Sequence, residues 1–479
     1  MNSSAPSTVG TQDLDRSFFG HPRGLRCIAF TEAWERFSYY GMQTLLVLYM
    51  TRQALLPGHA ERIAAFVPFR HGLERLYRHP LDTVALASAI FGLYTGLVYL
   101  TPIAGGWLAD RWLGRTRTII LGAVLMATGH FLMAFEQSFL LALLCLLAGV
   151  GCFKGNLASQ VGNLYSEGDL RRADAFQIYY LFINGAVIVS PLVAGTLGEK
   201  LGWHYGFGAA GVGMVISLVI YLSGRGRLPP DEVTVRGRKA RPAPLTRPER
   251  KATFLLLFLI PVLAIGAVGN QEIFNAYLLW VPDHVNLTFF RWTMPTTWLV
   301  TLDAIVSVSF LAGSIWFWRI WARRFREPQE ITKLAVGTAA CTAALFALVA
   351  AAALSAPGHK ASICWILLFE VLNSFGFSNI FPVGMALFAR ASPPRLLGLM
   401  MGAYLLHLFL ANNLVGWLGG LVERLHGTQF WLLHTGLVGA SCAILFVLSR
   451  TAAHLLAHSG AAREPLISEG GRRGAAAQA

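Results

Sequence analysis

Charge is scarce in this sequence. Only 13% of its 479 residues are Asp, Glu, Lys or Arg, whereas a soluble globular chain carries about a quarter. With 55% hydrophobic residues and a mean hydropathy of +0.53, an ordinary water-soluble domain is excluded. Acid is the scarcer sign, 25 residues against 39 Lys and Arg. A formal charge of +14 would suit nucleic acid, but the basic residues fall between apolar runs. Membrane orientation accounts for them, and no nucleic-acid partner is expected. Cysteine is sparse as well. Cys27, Cys145, Cys152, Cys341, Cys364 and Cys442 sit in apolar segments without metal or redox spacing, which argues against a disulfide framework. The sequence also lacks a metal-ligand spacing, a nucleophile elbow and a phosphate loop, and His130, His407 and His434 stand isolated. No enzyme chemistry, metal or cofactor is expected. Residues 1–20 have no apolar core, so no cleavable signal is expected and the first apolar helix must carry targeting.

What the chain does have is long apolar runs, with aromatics at 12% and 48 glycines, a composition suited to packed membrane helices with interfacial rings. Runs of roughly 20 apolar residues cross a hydrocarbon core. About twelve meet that criterion: 24–50, 84–107, 118–136, 138–158, 175–198, 206–223, 252–281, 297–321, 333–354, 362–390, 396–422 and 428–450. The fold class expected is an all-α membrane protein. Basic residues collect in alternate loops: Arg111, Arg115 and Arg117; Arg171 and Arg172; Arg323, Arg324 and Arg326; Arg390 and Arg395. Both termini are therefore placed in the cytoplasm, at the plasma (bacterial inner) membrane. Segment 225–251, rich in Arg, Pro and Gly, reads as a basic cytoplasmic linker. It separates an N-terminal six-helix bundle (24–224) from a C-terminal one (252–450), with tails at 1–23 and 451–479. Loop 51–82 dissents by carrying arginines on the outer side. Its periodicity (Ile63, Phe66, Val67, Leu73, Leu76) suits a surface helix.

The first span carries the chemistry. Glu32, Glu35, Arg36, Tyr39, Tyr40 and Gln43 recur at helical spacing and form one polar stripe. Ionisable groups in a membrane helix are costly unless they pair or line a wet cavity. Two carboxylates against one Arg leave an excess that a proton can neutralise, so the stripe predicts a proton relay. Lys154 lies mid-span in the fourth helix, where it cannot easily reach water.

The stripe Glu32-Ala33-Trp34-Glu35-Arg36-Phe37-Ser38-Tyr39-Tyr40-Gly41 resembles the signature of the proton-dependent oligopeptide transporters (the POT family), the peptide branch of the major facilitator superfamily. Four further segments are similar to that family's motifs: Gly105–Arg111 with Leu113-Gly114-Arg115, Gly151–Asn156, Tyr179–Ala186 and Gly202–Phe207. The resemblance implies a 6+6 helix plan with a solute site between the halves. It makes Lys154 the partner of Glu32 and Glu35 and, with Arg36, an attractor for a peptide carboxylate. Tyr39, Tyr40, Tyr94 and Asn184 would touch the peptide backbone. Asp110, Arg111 and Arg115 would form a conformational latch.

The C-terminal half resembles the family through Trp298–Asp303 and Pro382-Val383-Gly384, but its charged positions differ. Where the family has a glutamate five residues before that proline, this chain has Phe377. Glu370 lies on the same face, ~10 Å along the helix. Asp303 stands where the family often carries Asn, Asn270 and Gln271 are followed by Glu272, and Gln43 replaces a basic residue. Gln43, Gln271, Glu272, Asp303, Glu370 and Phe377 complete the expected solute site. The function implied is a monomeric, bilayer-embedded symporter that takes up di- or tripeptides, or peptide-like solutes, with protons as the coupling ion. The alternative is a proton-coupled carrier, in uptake or efflux, of another small zwitterion or organic anion.

Overall fold

The computed structural model describes residues 15–166, 169, 171–229, 245–355, 359–452 and 455–456. Most of the expected N-terminal tail, the central part of the linker (230–244) and nearly all of the C-terminal tail lie outside the described residues.

Each apolar run forms a helix at its expected place. In chain order these are Arg23–Tyr49, Thr83–Leu97 continued by Thr101–Leu108, Arg115–Leu132, Phe139–Asn163, Arg171–Ser190, Trp203–Gly224, Arg247–Gly266 with Val268–Gln271, Trp298–Arg324, Glu330–Leu354, Cys364–Ala391, Leu397–Gly419 and Gly427–Thr451. We number them first to twelfth. Among the described residues, nine helices are long and apolar enough to cross a membrane, and the bent seventh adds a tenth. The first and third fall short by composition: Arg23, Arg26, Glu32, Glu35 and Arg36 load one, while Arg115, Arg117 and His130 dilute the other.

The seventh helix breaks after Gly266, and its two segments meet at 48°. Loop 51–82 does contain a surface helix, Phe66–Tyr77. Its apolar face is narrower than the periodicity suggested: Phe66 and Leu73 are buried, but Val67 and Leu76 face outward. Among the described residues the one pair of strands is a hairpin, Thr288–Phe289 against Trp292–Thr293, turned by Phe290 and Arg291 at positive φ.

Small residues let the helices touch backbone to backbone, as membrane packing favours. Gly105 lies against Gly151 so closely that a Cβ would sit 1.9 Å from the Gly151 carbonyl oxygen. The two halves meet mainly at the end away from the linker. There Glu199 accepts the N–H groups of Thr296 (3.0 Å) and Thr297 (2.8 Å), and Trp298 Nε1 donates to Thr196 (2.8 Å). Asp82 pairs with Arg424 at 2.9 Å. Between these contacts the second and eleventh helices press together, and a Cβ on Gly92 would lie 2.4 Å from the Asn412 carbonyl oxygen and 2.6 Å from Gly416 Cα.

Candidate functional site

Helical spacing puts Glu32 and Arg36 one turn apart, with Glu35 beside them, and all three are buried. Arg36 Nε lies 3.0 Å from Glu32 Oε1 and 2.5 Å from Glu35 Oε2. The fourth helix, Phe139–Asn163, brings Lys154 within electrostatic reach of Glu35, Glu32 and Arg36. Its ammonium lies 5.1 Å from the centre of the Tyr99 ring. Two anions and two cations thus lie together, the three of the first helix buried and Lys154 half-buried, and with both carboxylates ionised their charges sum to zero. Removing such a group from water costs several kcal/mol per ion, roughly cancelled by the mutual attraction. A replacement by well-packed apolar residues would serve stability equally well, so the cluster points to function.

Tyrosines surround it. Tyr179 lies within electrostatic reach of Glu32, Arg36 lies 5.5 Å from the Tyr39 ring centre, and the buried Tyr94 hydroxyl has no partner although it lies near Glu35. Gln43 is buried with its side-chain oxygen unpaired. Tyr40 reaches across the halves, within range of both Arg36 and Asp303 and 6.1 Å from the Phe274 ring. Asn184 is half-buried and its amide N–H donates to the Tyr180 carbonyl of its own helix at 2.8 Å, which leaves its oxygen as the outward-facing group.

In the C-terminal half the eighth and tenth helices bring Asp303 and Glu370 within electrostatic reach of each other. Tyr277 donates to Glu370 Oε1 at 2.6 Å, and Ser307 donates to Asp303 at 3.4 Å. Phe377 stacks on Phe381, their rings 5.8 Å apart and 15° from parallel.

Two expected members do not join this group. Glu272 is fully buried at the break of the seventh helix, where it pairs at 3.1 Å with His434 of the twelfth and accepts the Ala276 N–H at 3.0 Å. It faces the bundle interior, so its place in the expected solute site is corrected, and His434 is not isolated as the sequence suggested. Gln271 accepts from Asn412 at 3.1 Å and donates to Asn270, so its amide is already engaged. Asp110 and Arg111 lie exposed in the turn after the second helix, which ends at Gly114 with φ +76°. Among the described residues, no ion pair joins Asp110 to Arg111 or Arg115. Tyr99, Tyr179 and Tyr277 are site neighbours that sequence reasoning missed. Only Tyr179 carried a signal, lying in the quoted fifth-helix segment.

The POT family matches residues 116–232 and 249–432. The peptide transporter YePEPT of Yersinia enterocolitica is 27% identical, over 90% of this chain and 93% of its own. The di-/tripeptide transporter of Lactococcus lactis subsp. cremoris is 27% identical, over 91% and 96%. Among solved structures, a peptide transporter POT in complex with sulfate superposes with a TM-score of 0.76 at 24% identity, covering 95% of this chain and 99% of that one. A POT family transporter in complex with a thioalcohol-conjugated peptide gives 0.73 at 22% identity, covering 92% and 99%. The chain is an integral membrane protein whose fold is that of these transporters, and by the extent of the family match it belongs to the POT family.

Proposed function

We propose that this protein is a proton-coupled symporter that takes up di- and tripeptides or peptide-like solutes by alternating access. The observation that carries the reading is the cluster of buried Glu32, Glu35 and Arg36 with Lys154 in electrostatic reach. With both carboxylates ionised the cluster is neutral and the cations are engaged. A proton arriving on Glu32 or Glu35 leaves one unit of positive charge unmatched. In a low-dielectric site that surplus is costly, and a solute carboxylate is the complementary charge. Arg36 offers a planar fork for it and Lys154 a point charge. Proton and carboxylate therefore enter as a neutral sum, and loss of the proton to the far side returns the cations to the glutamates and expels the solute. Tyr39, Tyr40, Tyr94 and Asn184 supply hydroxyl and amide contacts along the peptide. Asp110, Arg111 and Arg115 act as the latch at the linker end.

The arginine-rich loops and the linker are cytoplasmic in this reading, with both termini on that side of a bacterial inner membrane. The contacts between the halves at the opposite end support reading this arrangement as inward-open. The protein works as a monomer, one solute path per chain. The test is uptake into proteoliposomes with an imposed inward proton gradient, offering dialanine, trialanine, alanine and N-acetyl-dialanine. Concentrative uptake of the di- and tripeptide, abolished by a protonophore, is expected. Uptake indifferent to the gradient would sink the coupling, and uptake of alanine alone would sink the peptide assignment. Phe377, where the family's glutamate is replaced, favours a second reading as a carrier of another small zwitterion, and the same panel decides between them.

A further inference from the structure

The first helix has a second face, turned away from the charged stripe. Arg23, Arg26, Phe30, Ala33, Trp34 and Phe37 fall on it at helical spacing. Against the fifth helix the apolar part of this face forms a groove of about 680 Å³, whose other wall runs from Leu181 to Val193. Every lining residue is apolar, and Phe30, Leu181, Val189 and Val193 are exposed. The groove extends ~18 Å along the fifth helix at ~1.5 Å per residue. That is close to the depth of one leaflet of a ~30 Å hydrocarbon core. Gly185 keeps the groove open, because a Cβ there would meet nothing within 4 Å. Glycine inside a helix is destabilising relative to alanine, and among the described residues no neighbour presses on this one to require it.

Charge gathers at the linker end of the groove. Phe30 and Phe182 meet edge to face there, their ring centres 4.8 Å apart. One turn further toward that end, Arg26 is exposed and, among the described residues, forms no ion pair. Arg23 is exposed as well, its Nε donating to Ser17 at 3.1 Å. The sixth helix ends against the start of the first, where a Cβ on Gly24 would lie 3.0 Å from the Arg227 carbonyl oxygen, so exposed Arg225 and Arg227 join the group. Asp15, which accepts the Arg23 backbone N–H at 2.9 Å, and Asp174 at the start of the fifth helix oppose these arginines without balancing them.

We propose that the groove binds one acyl chain of an anionic phospholipid from the leaflet at the linker end, with its phosphate on Arg23 and Arg26. Within a bilayer such a groove gains nothing by excluding water, since lipid tails are as apolar as its walls. Shape must therefore hold the chain, and charge must select the headgroup. Guanidinium groups take phosphate oxygens bidentately, and basic residues at the ends of membrane helices favour anionic headgroups. Other occupants fit less well. Residues 1–14 are polar and offer no apolar run. A second copy related by a twofold axis along the membrane normal would bring the same arginines together. The acyl chain lies behind Glu35 and Arg36 on the first helix, and none of the residues lining the groove is assigned to the solute.

Two measurements test it on the full-length protein in detergent. The first is native mass spectrometry during titration with palmitoyl-oleoyl phosphatidylglycerol or with phosphatidylcholine of the same chains. The first phosphatidylglycerol should bind about tenfold or more tightly than phosphatidylcholine, as two arginines at a headgroup imply. Arg23→Gln/Arg26→Gln should remove that preference. Gly185→Leu fills the groove and should weaken the phosphatidylglycerol adduct although both arginines remain. Gly208→Leu on the sixth helix, where a Cβ also meets nothing within 4 Å, should leave it unchanged. Equal affinity for the two lipids, or an adduct indifferent to Gly185→Leu, overturns the site, as does a dimer of the chain in place of the adduct. The second measurement uses wild type alone. Phosphatidylglycerol carrying a diazirine in its acyl chain should cross-link within 30–37 and 181–193 on illumination. Cross-links spread evenly over the apolar surface overturn the groove.

Discussion

Glu32 and Glu35 converge on a single atom, the Nε of Arg36, at 3.0 and 2.5 Å. One N–H cannot point at two carboxylates, so the pair competes for its cation, and a proton on either relieves the competition. Glu32→Gln and Glu35→Gln should each abolish gradient-driven accumulation while sparing most counterflow exchange, which need not cycle the proton. Uptake and counterflow of labelled dialanine in the same vesicles check this. Concentrative uptake persisting in both variants would refute the relay.

Among the described residues Lys154 forms no ion pair; it acts across space on the glutamates and lies over the Tyr99 ring. Lys154→Ala should therefore lose transport more severely than Lys154→Arg. The loss should be greater for solutes with a free carboxylate than for their amides, by about tenfold if one charge-assisted contact of about 1.5–3 kcal/mol is removed. Equal losses for peptide and peptide amide would confine Lys154 to a coupling role.

Glu272 and His434 are a fully buried pair at the break of the seventh helix. His434 Nδ1 donates to the Phe430 carbonyl at 2.8 Å, so a proton must also lie between Nε2 and Glu272. Removing one partner strands the other, at a cost of about 3–5 kcal/mol. His434→Ala should lower the melting temperature clearly. His434→Leu/Glu272→Met, which removes both polar groups, should recover much of the loss. A single variant as stable as wild type would show that the pair contributes nothing to the fold.

The positions of the spans were legible because an apolar run of that length has few other uses, and all twelve expected runs became helices. The first-helix stripe was legible because charge is so rare that three charged residues within five positions carry information. Contacts across helices were not. Glu272 falls in register with the expected solute site, and only the 48° break of its helix turns it toward His434. Asp303 and Glu370 were each visible as candidate anchors. Their proximity depends on how the eighth and tenth helices cross, which periodicity along one helix does not encode.

Asp82 joins the halves outside the membrane span, capping the second helix through the Ala85 N–H at 2.8 Å while pairing with Arg424. Partial burial pushes its carboxyl upward, but the Ala85 N–H and the Arg424 guanidinium outweigh that and hold it below the usual range. A depressed carboxyl contributes stability that is present at neutral pH and lost as pH falls through the lowered value. Asp82→Asn keeps a capping oxygen and loses only an exposed pair, worth about 0–1 kcal/mol. Asp82→Ala also loses the cap, about 1 kcal/mol more. Melting curves from neutral to acid pH should show Ala below Asn below wild type near neutrality, with wild type and Asn converging in acid. Identical curves for all three would refute both roles.

Gly92 belongs to the contact between halves, not to either bundle's core, so a side chain there should disturb the conformational balance more than the fold. A Cβ would meet the Asn412 carbonyl oxygen at 2.4 Å. Overpacking of this kind costs about 1–3 kcal/mol. In Gly92→Ala, spin labels on the second and eleventh helices at the end away from the linker should move apart, with the melting temperature nearly unchanged. An unaltered distance distribution would mean that the seam absorbs a methyl group.

That seam also bears on electrical insulation. A proton-driven carrier must not let protons slip past the solute path, because any standing file of water would discharge the gradient it uses. Where Gly92 meets Asn412 and Gly416, backbone presses on backbone with less room than a methyl group requires, and a water needs more space than that together with polar partners. The closed end is thus sealed by the absence of side chains, and it should leak no current in the resting state.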